Sequence, residues 1–372
     1  MRESITDQSS QYKAHRIANE PSFKMCIALL STAHPAYKLI LIDNRDEYIN
    51  RPTATASWWS APHQSVLGGR DLLRSTQGTW LGVTKTGRIA VLTNFREDTP
   101  PPPTAVSRGE IIKKFLTIPE EEFESTADFV RDVVDDGVAR DAGGFSLVCG
   151  RVGEQLAVIS NRARSGEEVP WIMGDVVQTV GLSNTHFGDR AWPKVVEGEE
   201  GMLRVLRQNL VEFYPQPKNG KGHDELTVVK DDAEESLIEG LLELLSDDAL
   251  TRKGMKAEDG LEAHIFQLRT TIRVPPLGRK EMKADEVAAA RKDEVAKVLG
   301  SREGVGPIED AKKAGLGVSG IYATQKQTVV LVDHNDRVRF VERTLFDDDC
   351  EPVPAGKGDV DITFQIEQST KG

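Results

Sequence analysis

The chain has 372 residues, 38% of them hydrophobic and 28% charged, with a net charge of −12. That composition fits a globular protein with polar insertions, and its negative field makes nucleic acid and anionic membrane surfaces poor partners. No stretch reaches the roughly 20 apolar residues that span a bilayer.

Residues 1–24 are polar and lack the apolar centre of a secretory signal, so a disordered leader is expected. Arg2, Lys13 and Arg16 with nearby serines keep a transit-peptide reading open, against which Glu3, Asp7 and Glu20 stand. Met25–Thr32 (MCIALLST) is a buried strand by its apolar run, and Tyr37–Asp43 (YKLILID) is its hairpin partner across a turn at His34 and Pro35. Asn44–Pro52 (NRDEYINRP) then follows as the exit of that second strand, with charges packed where a bland strand end would be solvated.

Thr79–Phe95 reads as a second hairpin turning at Lys85-Thr86-Gly87, and Gly143–Ser160 as a third turning at Val152-Gly153. Gln327–Leu345 is a fourth, with His334-Asn335-Asp336 at its turn. Between them, Ser107 with Glu110 offers a capping box for a helix through about Leu116, and Ser125 with Asp128 starts another. Pro193 to about Phe213 and Glu234–Leu245 carry helical spacing. Pro100–Pro103 reads as an extended loop, and about 280–313 as a charged helical insertion. Hairpins around helix clusters point to an α+β fold of two stacked antiparallel sheets with helices outside. The domain division is a leader over 1–24, one domain over 25–350, and a tail or last strand over 351–372.

Cys26, Cys149 and Cys350 are an odd set spread along the chain, which suits a reducing compartment and a cytoplasmic location. Gly315–Gly320 fits G-x-G-x-x-G but precedes a strand, so it fails the dinucleotide context. His186 and Asp189 read as a turn rather than metal ligands, and Trp58-Trp59 as a packing or ligand-facing aromatic pair.

The ordered set of segments carries more than any member alone. After Met25-Cys26-Ile27 come Asn44-Arg45-Asp46-Glu47, GTWLGV over 78–83, LTNF over 92–95 and RGE over 108–110. SNR over 160–162, GLSN over 181–184, Trp192-Pro193-Lys194 and TVVLVD over 328–333 complete it. In that order they resemble the NRDE family, the transport and Golgi organisation 2 homologues, from about Met25 to Leu345. The family is in turn similar to N-terminal-nucleophile hydrolases, which implies a four-layer αββα sandwich.

That resemblance gives Cys26 the place of the nucleophile, whose own α-amine is the base. It implies that Arg45 lowers the thiol pKa or orients the substrate and that Asp46 orients the amine, with Glu47 an alternative for the acidic role. It puts Asn94 and Asn184 where asparagines stabilise an oxyanion. Asn44, Glu47, Trp80, Arg108 and Gln325 are the expected ligand-binding residues; Gln325 stands where many relatives carry arginine. As a purely structural alternative, Cys26 is a small core residue and the two asparagines are strand-end groups. Twenty-five residues precede Cys26, so amine-assisted catalysis requires a start at Met25 or removal of the leader.

Two functions follow from the resemblance. The first is a carrier or trafficking factor in Golgi organisation and secretion, holding a small-molecule or lipid-derived ligand, with haem or acyl groups as candidates. The alternative is a cysteine amidohydrolase or acyltransferase acting on amides or thioesters. No cofactor is required, and the absence of a Cys-Pro dipeptide gives haem no independent support. Golgi or mitochondrial association is expected from the resemblance alone.

Overall fold

A computed structural model describes residues 25–95, 106–214, 227–256, 264–278, 320–347 and 349–367. The leader, the proline run, the charged insertion and most of the 315–320 glycine segment lie outside the described residues.

The first sheet takes β1 (Ile27–Ser31), β2 (Tyr37–Tyr48), β10 (Thr179–Leu182), β11 (Tyr322–Asp333), β12 (Arg337–Thr344) and β13 (Val360–Gln365). Among the described residues its order is β10-β1-β2-β11-β12-β13, antiparallel throughout. The second sheet is a meander of β3 (Thr53–Trp58), β4 (Val66–Asp71), β5 (Leu81–Thr84), β6 (Arg88–Asn94), β7 (Phe145–Arg151), β8 (Gln155–Ser160) and β9 (Trp171–Met173). Among the described residues the α-helices are α1 (Arg108–Thr117), α2 (Thr126–Val134), α3 (Pro193–Phe213), α4 (Asp231–Leu245) and the short α5 (Ala249–Arg252).

Three apolar layers explain the apolar strands. Leu39 and Leu41 of β2 point between the sheets, with Leu30, Leu67, Val83, Val330 and Phe340. Ile40 and Ile42, the alternate residues, face α3 and α4 with Leu206, Leu237 and Leu241. The outer face of the second sheet packs Leu92, Leu147 and Ile159 on Ile112, Phe115 and Val133 of α1 and α2. A strand covered on both faces is apolar at successive positions, and the result is an αββα sandwich.

The four expected hairpins form. The NRDE segment, however, is not the exit of a strand: β2 continues through it to Tyr48, and Asn44, Arg45, Asp46 and Glu47 are all buried. The cause lies in β11, which begins at Tyr322 and pairs with β2 as far as Tyr48 across a bulge between Thr324 and Lys326.

The two helix caps differ. Ser125 accepts from the Asp128 N–H, whereas Ser107 makes no side-chain cap and its expected box with Glu110 does not form. Ser125→Ala is therefore expected to cost about 1 kcal/mol, and Ser107→Ala close to nothing. Urea unfolding of the two variants checks this; equal losses would contradict it.

Candidate functional site

Cys26 lies one step beyond the Ile27–Asn44 pair of the β1–β2 ladder, which sets it beside Arg45 at the end of the inter-sheet core. Its thiol donates to the Asp46 carbonyl at 3.8 Å, and its own carbonyl accepts from Ser183 Oγ at 2.8 Å. The peptide before it is held from both sides: the Met25 N–H donates to Tyr322 OH at 2.8 Å, and the Met25 carbonyl accepts from Lys194 Nζ at 2.6 Å. Tyr322 OH also reaches the Asp46 carbonyl at 3.2 Å.

Asp46 supplies the carboxyl. Its Oδ1 accepts from Thr324 Oγ1 at 2.6 Å, while Oδ2 is buried without a partner. Burial pushes its pKa up to about 7, against the pull of Lys194, the Thr324 hydrogen bond and Arg45, with Glu47 adding to the rise. Lys194 is fully buried, and burial lowers its pKa while Asp46 and Cys26 oppose the change. Lys194 and Asp46 form no contact ion pair; they act on each other through the low-dielectric interior.

The asparagines join the two sheets at this point. Thr93 Oγ1 donates to the Ser183 carbonyl at 2.9 Å, and the Asn184 amide donates to the Asn94 carbonyl. Ser183 Oγ is also 3.2 Å from Asn184 Oδ1, which puts Asn184 one hydrogen bond from the Cys26 backbone. The Asn94 side-chain oxygen is buried and unpartnered.

Arg45 donates to Gln325 Oε1 and stacks over Trp80, 4.6 Å from the ring centroid. Gln325 is anchored in turn by donating to the Ile49 carbonyl at 3.2 Å. Trp80 crosses Gly69 so closely that a Cβ there would fall 2.3 Å from the indole, which requires glycine. Glu47 lies 3.5 Å from Arg51 and 4.0 Å from Arg45. Arg108 opens α1 and donates to the Gly144 carbonyl at 3.0 Å. Its pKa falls to about 10 through burial, then Arg74, with Glu47, Arg51 and Cys26 also in electrostatic reach.

The fold thus gathers Cys26, Arg45, Asp46, Asn94 and Asn184 at one end of the sandwich, with Glu47, Trp80, Arg108 and Gln325 around them. Asn44 is spent elsewhere, donating to the Leu245 and Ile272 carbonyls on the helix side. Lys194 and Tyr322 belong to the site and have no assigned role in the sequence reading. The Trp192-Pro193-Lys194 segment was the available signal, but a lysine in a first helical turn reads as solvated.

The architecture defines the class: an αββα sandwich with a cysteine-centred polar site where the two sheets meet. Residues 25–347 match the Transport and Golgi organisation 2 family, and the chain belongs to that family. It is 25% identical over 342 residues to an uncharacterised protein of Saccharomyces cerevisiae, covering 87% of this chain and 93% of that one. It is also 25% identical over 319 residues to the Mus musculus Transport and Golgi organization 2 homolog, covering 84% and 89%. Among solved structures it is similar to a Caenorhabditis elegans N-acylethanolamine-hydrolyzing acid amidase ortholog, at TM-score 0.34 and 12% identity over 56% of this chain and 87% of that one. No helix among the described residues is long and apolar enough to cross a membrane.

Proposed function

We propose that the chain handles acyl compounds at this site and that Cys26 is the group that meets the acyl carbonyl, as the nucleophile of an amide or thioester hydrolase or acyltransferase. The observation that carries this is the placement of Cys26, with its thiol on the Asp46 carbonyl, its own carbonyl on Ser183 Oγ beside Asn184, and the buried Lys194 on the carbonyl just before it. When Cys26 is the terminal residue, its freed α-amine takes the thiol proton and the sulfur adds to the carbonyl. Asn184, with one amide hydrogen beyond that given to Asn94, and Asn94 are the oxyanion donors. Collapse passes a proton to the departing amine or thiol and leaves a thioester on Cys26, which water hydrolyses. Asp46 orients the freed amine, and Tyr322 OH holds the Asp46 backbone in place.

A second reading, a ligand holder without turnover, is favoured by one observation. With Met25 in place the nitrogen of Cys26 is an amide, and the peptide is pinned by Tyr322 and Lys194. The relatives are named for transport and Golgi organisation, and a cytoplasmic role in that setting is the cellular counterpart proposed for either reading.

The test is to release the chain with Cys26 as its first residue and screen amides and thioesters by mass spectrometry, beside the chain that keeps Met25. Turnover is expected only from the former, with Cys26→Ala lowering it by about 10³-fold or more. Turnover indifferent to Cys26→Ala would sink the hydrolase reading. An acyl ligand co-purifying with the longer chain, without turnover in either form, would establish the holder.

A further inference from the structure

Met25 fills the space beside the Cys26 nitrogen. It is buried in one apolar cluster with Leu250, Leu268, Val274, Leu277 and Tyr322, and Trp192 packs against that cluster. Both of its backbone polar atoms are held, the carbonyl by Lys194 Nζ at 2.6 Å and the N–H by Tyr322 OH at 2.8 Å. A start at Cys26, which the hydrolase reading requires, takes away the side chain and both polar atoms together.

The walls do not depend on Met25. Leu277 and Tyr322 exchange two backbone hydrogen bonds, at 2.9 and 2.8 Å. The Val274 carbonyl accepts from the Thr324 N–H at 3.0 Å, and the Val274 N–H donates to Thr324 Oγ1 at 2.8 Å. Leu250 lies on α5, whose first residue, Ala249, donates to Thr271 Oγ1 at 3.0 Å. Every strand and helix described above begins after Cys26, so a chain that starts there keeps this frame. An apolar space with fixed walls stays dry and takes up apolar groups instead of water.

The polar end asks for an oxygen. Among the described residues the hydrogen bond made by Lys194 is the one to Met25, so the shortened chain leaves a fully buried ammonium in need of an acceptor. Tyr322 OH gives its proton to the Asp46 carbonyl at 3.2 Å, and its remaining lone pair accepts an N–H or O–H without requiring one. The five cluster residues named above are at most 1% exposed, which closes the far end of the space and limits chain length. A hexanoyl group has as many heavy atoms beyond its carbonyl as methionine has from Cα to Cε. Because the Met25 carbonyl carbon is bonded to the Cys26 nitrogen, a carbonyl in that place lies beside the thiol of the same residue.

We infer that the space vacated by Met25 is the acyl subsite of the Cys26 site, and that it takes a short unbranched acyl chain, of hexanoyl length, with its oxygen on Lys194. This deepens the acyl reading and rests on it for the departure of Met25.

Calorimetric titration of the chain that starts at Cys26 with butyrate, hexanoate and decanoate tests it. Hexanoate should bind saturably, and butyrate about tenfold more weakly for its two missing methylenes. Decanoate should bind no better than butyrate, and the chain that keeps Met25 should bind none of the three. Leu277→Ala should move the preference to octanoate, which general loosening of the fold would not do. No hexanoate binding, equal affinity for the three acids, or hexanoate binding undiminished with Met25 present overturns the proposal. In the full chain, Met25→Gly empties the apolar part alone. Its thermal midpoint should rise with ethyl methyl sulfide while that of the wild type stays put; equal responses overturn the pocket whether or not the shortened chain folds. Hexanoate bound without turnover of any hexanoyl amide or thioester would remove the hydrolase reading and leave the subsite. Turnover blind to chain length would remove the subsite and leave the nucleophile.

Discussion

Lys194→Met is expected to destabilise the protein by about 3 kcal/mol at pH 8, the scale of leaving a buried charge uncompensated, and by much less at pH 5. The wild-type ammonium is fully buried, donates to the Met25 carbonyl and is the largest charge that lowers the pKa of Asp46. Without it the Asp46 pKa moves further up. A carboxyl whose folded pKa lies above its unfolded value gives stability that is complete below about pH 4 and is lost as pH rises through the folded pKa. At pH 5 the variant holds Asp46 protonated and loses mainly the hydrogen bond to Met25, about 1 kcal/mol. At pH 8 it must ionise Asp46 alone or hold the proton against the solution. Urea unfolding at the two pH values measures the difference. Adding Asp46→Asn to Lys194→Met should flatten the pH dependence, and equal losses at both pH values would show that the two charges are not coupled.

That pair marks the limit of what was legible in the sequence. Cys26, Arg45, Asp46, Asn94 and Asn184 could be named in advance because ordered short segments tie them together, and the fold brings them to one place. Lys194 could not, because its burial is decided by a carbonyl 169 positions away. A sequence window sees only a lysine after a proline.

The two sheets show the same division. Tyr37–Asp43 declares itself by apolar residues on both faces, but the rest of β2 is made a strand by Tyr322, Ala323 and Thr324 on β11. Charge at the end of an apolar run normally marks an exit to water; here the partner strand closes over it. Thr53–Trp58 and Val66–Asp71 went unrecognised because small residues hide the pattern. Gly69 is small because the Trp80 ring occupies the space, and that ring carries Arg45. Local periodicity thus showed the apolar half of the sandwich, while the polar end depends on partners distant in sequence.

Asp43→Asn is expected to stabilise the protein, increasingly so as pH rises above about 4. Asp43 lies on the inter-sheet side of β2, opposite Ala28 of β1 and Thr328 of β11, with neither carboxyl oxygen hydrogen-bonded. Burial drives its pKa well above the usual carboxylate range, with Asp46 and Glu342 adding to the rise and Arg45 opposing it. Lys326 offers no relief, because it is held by Glu342 at 3.3 Å and Thr344 at 2.7 Å. The sign follows: the wild type is favoured while Asp43 is protonated in both folded and unfolded chains. Above the unfolded pKa it loses up to about 1.4 kcal/mol per pH unit until the folded pKa is reached. Asparagine has the same shape and no such slope, so the variant should match the wild type near pH 4 and gain on it by up to about 1.4 kcal/mol per pH unit above that, until the folded pKa is reached. Asp46 contributes a second slope of the same sign, ending near pH 7. Unfolding free energies from pH 4 to 8 for wild type, Asp43→Asn and Asp46→Asn separate the two. A slope untouched by Asp43→Asn but removed by Asp46→Asn would assign the whole dependence to the carboxyl beside Cys26. A carboxyl kept at such a cost in the interior, two residues from Arg45 on the same face, marks an end of the inter-sheet layer whose polarity works against stability.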